Sequence, residues 1–202
     1  MRPPPGLHLV RAVLLLFAVA GGTALPALGQ QAVTATSGSP AAIARIRAEF
    51  AAIEREAPTY RQTTHELHGF SLEGGELTGF YRGRELRKLH AHLYGETWQG
   101  TEEYYFADGR LIFIHTVQER YEMPFAENGR VLWKIEHRFY FDEGRLIRRI
   151  RGVRPAPGRG DDLSDYDPWV PMLLRKAELF AACAAAAGTD PPQCTAPESL
   201  LK

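Results

Sequence analysis

Tight turns built on glycine, set between runs of β-type residues, constrain this chain more than any other feature. Between Thr63 and Gly152, stretches rich in Tyr, Phe, Leu, Ile and Val alternate with Glu73-Gly74-Gly75, Gly83, Gly95, Asp108-Gly109, Asn128-Gly129 and Glu143-Gly144. A two-residue hairpin turn needs positive φ, which Gly adopts freely and Asp and Asn tolerate. Such dipeptides between strand-like runs therefore predict antiparallel hairpins. Six to eight antiparallel strands are expected over residues 63–152. Two of these hairpins echo each other: Tyr104 to Ile112 reads YYFADGRLI, and Phe139 to Ile147 reads FYFDEGRLI. A fainter copy is read at Leu72 to Leu77, LEGGEL. Aromatic residues lead into the turn, Gly makes it, and an Arg-Leu-Ile strand leaves. The copies are too few and too uneven for a solenoid or propeller, so they predict a β-meander.

The flanks have a different period. Ser39 and Pro40 supply an N-cap and a proline at the first helical position. Ile43, Ile46, Phe50 and Ile53 follow at helical spacing, predicting an amphipathic helix over 40–57 that ends before Pro58. A second is expected over 168–187, with Asp167 as N-cap and Val170, Leu173, Leu174, Ala177 and Phe180 as its stripe. The predicted fold class is α+β: an antiparallel β-meander sheet flanked by an N-terminal and a C-terminal amphipathic helix. One sheet face is expected to take both helices, and the other to be open.

Residues 1–29 read as a cleavable signal peptide. Arg2 and Arg11 give a positive start, Leu9 to Ala20 a short apolar run, and Ala27-Leu28-Gly29 a small-residue cleavage site before Gln30. The apolar run is shorter than the roughly 20 residues that span a bilayer, and no later segment is apolar enough to do so. No cysteine for lipid attachment sits near the cut. The expected organisation is a signal peptide at 1–29, a flexible Gln/Ala/Thr/Ser/Gly leader at 30–39 and one α+β domain over 40–202, in the periplasm or secreted outside the cell. In that oxidising setting Cys183 and Cys194 are read as a disulfide.

Charge excludes one class of partner. The chain has 24 basic and 24 acidic residues, and loss of the signal peptide makes the balance slightly acidic. A nucleic-acid binder would carry a basic excess. Six arginines between Arg145 and Arg159 are followed by Asp161, Asp162, Asp165 and Asp167. Opposite blocks this close read as a solvated linker with local ion pairs, the arginines alone being an alternative anion site. The aspartates lack the Gly and closing Glu of a calcium loop.

Candidate chemistry rests on strand pairing. A regular two-residue turn at Asp108-Gly109 pairs Tyr104 with Phe113 and Glu102 with His115. The second hairpin puts His137 at the position equivalent to Glu102. Glu102, His115 and His137 together form a candidate set for acid–base or metal-dependent catalysis. His90 and His92 alternate with apolar residues and share a strand face with Lys88 and Tyr94. With Tyr105, the residues His90, His92 and Tyr94 are the candidate binding positions. Lys88 argues against a cation there, and no metal or cofactor is expected. No nucleotide-binding, nucleophile-elbow or metalloprotease motif is present. Asn128 does not head an N-glycosylation sequon.

The YYFADGRLIFI and FYFDEGRLIRRI segments resemble hairpins of uncharacterised secreted bacterial proteins and are loosely similar to MORN-type repeats. The resemblance implies an exported β-rich protein and assigns no catalytic residue. The expected function is a non-enzymatic module of the cell envelope that binds an unknown protein or small molecule. The alternatives are a small hydrolase using Glu102, His115 and His137, and an envelope assembly or scaffold protein.

Overall fold

In the computed structural model, which describes residues 38–122, 130–155, 167–186 and 193–198, helix α1 spans Pro40–Glu56. The Ser39 hydroxyl accepts a hydrogen bond from the Ala42 N–H at 3.1 Å, satisfying one of the free donors of the first turn. Seven strands follow: β1 Arg61–His68, β2 Gly75–Arg82, β3 Glu85–Gly95, β4 Trp98–Ala107, β5 Arg110–Tyr121, β6 Val131–Asp142 and β7 Arg145–Pro155. Helix α2 is Val170–Ala185, and a three-residue strand β8, Gln193–Thr195, comes last.

The eight strands of the described residues form one sheet in the order β7-β6-β5-β4-β3-β2-β1-β8. The first seven are an antiparallel meander, while β8 lies parallel to β1, with Cys194 opposite Leu67. Eight strands therefore make the sheet mixed, with its last strand beyond the region where strands are expected. Cys194 is disulfide-bonded to Cys183 in α2, so the bond ties helix and strand together.

The turns take the conformation their residues dictate. Asp108 and Gly109, and Glu143 and Gly144, all have positive φ. Three hairpins then share an irregularity. Two pairs beyond each turn the register shifts by one, so that Arg87, Ile112 and Ile147 are each an extra residue on the returning strand. These are β-bulges, which bend the strand and re-aim its side chains. The third copy of the echo is therefore Gly79 to Lys88, GFYRGRELRK, and not Leu72 to Leu77, which lies at the longer β1–β2 connection.

The bulges seat α1. Ile43, Ile46 and Ile53 form one buried cluster with Tyr105, Phe113 and Tyr140, against which Ile112 and Ile147 pack. Phe50 stands edge-on to Tyr105 and Phe113 with ring centroids 4.9 and 5.1 Å away. Arg87, buried, pairs with Glu49 of α1, and Lys88 pairs with Glu54 at 2.7 Å. Helix α2 packs on the opposite face. Its Leu173, Ala177, Phe180 and Ala184 join Leu67, Leu77, Leu89, Ala91, Tyr104 and Phe139 in the larger core. Gly79 permits this approach, since a Cβ there would lie 2.9 Å from the Ala184 Cβ. The helices thus lie on two faces instead of sharing one, because alternation along each strand makes both faces apolar near the turns.

Asp167 does not cap α2. The cap position is Trp169, with no side-chain hydrogen bond. The Asp167 carboxylate instead pairs with Arg149 at 2.8 Å, Arg151 at 2.9 Å and His137 at 3.1 Å. It thereby fastens the segment before α2 to β6 and β7. The expected signal peptide, Asn128-Gly129, Arg159, Asp161, Asp162 and Asp165 lie outside the described residues.

Candidate functional site

The α1 side of the sheet divides into two halves. Helix α1 covers the end nearest the Asp108 and Glu143 turns. Toward the other end the strands present polar side chains in cross-strand rows. His90, Glu103, His115 and Arg138 are direct partners across β3, β4, β5 and β6. The next row is His92, Thr101, Val117 and Glu136, and the third is Tyr94, Gln99, Glu119 and Lys134.

The carboxylates of this half-face are held by the side chains around them. Glu103 receives Lys88 at 2.8 Å, the His115 Nδ1 at 3.0 Å and the His90 Nδ1 at 3.3 Å. Burial pushes its pKa up, but the hydrogen bonds from His115 and His90 and the Lys88 ammonium outweigh burial and hold it well below the carboxylate range. The His115 Nε2 lies 3.0 Å from Glu136, which also accepts from Arg138 at 2.7 Å. Burial raises the Glu136 pKa, and Arg138 more than reverses that. Glu119 takes Lys134 at 2.8 Å and Gln99 at 3.1 Å, and these contacts, Lys134 first, lower its pKa against burial. His92 packs on Tyr94 with ring centroids 4.4 Å apart.

Where this polar half meets α1 there is a groove of about 450 Å³, lined by Ile46, Arg47, Phe50, Phe113, His115, Arg138 and Tyr140. Its floor is aromatic and its rim is cationic.

The sequence-predicted residues fall in three places. His90, His92 and Tyr94 lie on the polar half-face as expected from alternation. Tyr105 shares that side of the sheet but is fully buried under α1, its hydroxyl donating to Glu54 at 3.0 Å. It is a core residue and not part of a binding surface. Glu102, His115 and His137 do not converge. The bulge after the Asp108 turn shifts the register, so Glu103 and not Glu102 faces His115. Glu102 projects to the α2 side, where it pairs with Lys176 at 2.7 Å and accepts from the Tyr104 hydroxyl at 2.5 Å. His137 is on that same side, buried against Phe139 and Asp167. Its pKa is lowered to about 4, chiefly by burial, with Arg149 and Arg151 opposing the help of Asp167.

Both ring nitrogens of His115 are partnered by carboxylates, Nδ1 by Glu103 and Nε2 by Glu136. Among the described residues, no group of three or more His, Cys, Asp or Glu side chains is arranged to hold a metal. Beside Glu103, the Lys88 ammonium stands where a cation would be held.

Sequence reasoning missed Glu103, Glu136 and Lys176 as partners of the named residues. No local signal separates the two registers: Leu111-Ile112-Phe113-Ile114 is apolar four times in succession, but a strand buried on both faces reads the same with or without a bulge.

Among the described residues, no helix is long and apolar enough to cross a membrane. No protein-family model, curated protein or solved structure matches the chain.

Proposed function

We propose that this chain is an exported, non-enzymatic binding module of the cell envelope or extracellular space. Its contact surface is the polar half-face carrying His90, His92 and Tyr94. One observation carries the reading. A wide sheet surface with its carboxylates already paired adjoins a groove floored by Phe50, Phe113 and Tyr140. An apolar centre with a satisfied polar border is the general anatomy of recognition surfaces, and a surface held by its own ion pairs loses little freedom on binding. Export rests on residues 1–29, and the Cys183–Cys194 bond fits an oxidising destination.

Hydrolysis is the weaker reading, since Glu102 and His137 lie on the side opposite His115. Combined Glu102→Gln and His115→Ala substitutions are expected to change stability and no turnover.

The direct test is photo-crosslinking in the producing cells, with a benzophenone amino acid at position 92 or 94 and, as control, at the exposed turn position 84. A discrete adduct at 92 or 94 that is absent at 84 is the expected outcome. Equal labelling at all three positions, or none at any, would overturn the assignment.

A further inference from the structure

On the α2 side of the sheet, opposite the half-face just described, lies a cleft of about 360 Å³ between the start of α2 and strands β4 and β5. Its walls include Phe70, Trp98 and Trp169. Its polar lining is Thr101, Gln118, Asp167 and the pair Glu102 and Lys176, joined at 2.7 Å, with the Tyr104 hydroxyl donating to the other Glu102 oxygen at 2.5 Å. We propose that this cleft is a second binding site, for a neutral saccharide.

Three observations point to that chemistry. First, the walls are aromatic, and Trp169 is 63% exposed, whereas the neighbouring Leu173 is buried. An indole held in solvent at the mouth of a cleft is not packing the core. Its flat face matches the C–H face of a sugar ring.

Second, the charges at the site cancel. Glu102 and Lys176 are only 13% and 14% exposed, so each depends on the other for compensation. A charged ligand would have to compete for one partner and leave the other unpaired. Asp167 also borders the cleft, but its oxygens are engaged by Arg149 and Arg151.

Third, the pair retains hydrogen-bonding capacity without being broken. An ammonium has three N–H donors, and Glu102 takes one from Lys176. Each carboxylate oxygen has a second lone pair beyond the bond it accepts here. Adjacent ring hydroxyls, which both donate and accept, can receive from Lys176 and donate to Glu102 together. The volume sits at the lower end of the roughly 300–1,000 Å³ range of small-molecule sites, which suits one or two sugar rings.

The test uses the full chain and tryptophan fluorescence, confirmed by calorimetry. The probes are maltotriose, cellotriose and chitotriose, with acetate and methylammonium as charged comparators. At least one sugar is expected to give a saturable response. Trp169→Ala should weaken it by about tenfold, the scale of losing one aromatic contact of about 1.4 kcal/mol. Trp169→Phe should restore part of it, which separates lost stacking from lost folding. No saturable response to any sugar, saturation by acetate or methylammonium instead, or unchanged sugar affinity in Trp169→Ala would each overturn the proposal. The polar half-face lies on the other side of the sheet, so these outcomes are independent of the crosslinking result.

Discussion

Acidification offers a sharp test of how the α2 side is held together. His137 is 2% exposed, and three charged groups face it: Asp167, Arg149 and Arg151. Burial and the two arginines disfavour the imidazolium, while Asp167 favours it, and the balance places the folded pKa at about 4 against 6.5 for the free side chain. A depressed histidine pKa means that the folded state prefers the neutral ring. That preference contributes fully above pH 6.5 and is lost as pH falls from 6.5 toward 4. Between pH 7.5 and 5 this one ring should remove about 2 kcal/mol of stability, at about 1.4 kcal/mol per tenfold difference in proton affinity. The measurement is urea unfolding at intervals across that range, for the wild type and for His137→Gln, whose amide can still donate to Asp167. The wild-type curve should fall more steeply by about 2 kcal/mol. Parallel curves would show that His137 does not resist protonation. A wild type that gains stability relative to the variant on acidification would refute the reasoning outright, because Asp167 would then outweigh burial and both arginines.

The same structure sets three further outcomes. Cys183→Ser or reduction of the bond to Cys194, which closes a loop with a sequence separation of 11, should lower stability by about 3 kcal/mol, read as the loss in denaturant midpoint with and without a phosphine reductant. Gly109 has φ +70, and a methyl added there would meet nothing within 4 Å, so Gly109→Ala should cost only the backbone strain of about 1–2 kcal/mol, whereas Gly79→Ala, whose methyl would meet Ala184 at 2.9 Å, should also loosen α2 and alter near-ultraviolet circular dichroism.

Local features were readable because local chemistry decides them. Ser39 and Pro40 start α1, and Asp108-Gly109 and Glu143-Gly144 turn the chain, without help from distant residues. The Cys183–Cys194 pairing followed from having two cysteines. Register was harder. Whether Glu102 or Glu103 meets His115 depends on one extra residue, Ile112, and a one-residue slip sends every later side chain to the other face. The candidate set of Glu102, His115 and His137 dissolved on that single bulge. Asp167 misled for a different reason. Before Pro168 it has the local chemistry of a helix cap, but Arg149, Arg151 and His137 form a stronger claim on its charge than one backbone N–H. The face taken by α1 was also not local information, since its seat combines bulges from three hairpins that are separate in sequence.

The position of β8 has a consequence for how molecules of this protein meet one another. A meander ends in two strands whose outer backbone groups can pair with a second chain and nucleate aggregation. Here the two ends are protected differently. At one end β8 lies along Glu66–His68 of β1, anchored by the Cys183–Cys194 bond. At the other end β7 carries Arg145, Arg148, Arg149, Arg151 and Arg154, and such a strand brings like charges together if it meets a copy of itself. One edge is therefore guarded by a covalent lock and the other by repulsion. Reducing agents would challenge the first and high salt the second, so only their combination would leave both borders open to edge-to-edge growth.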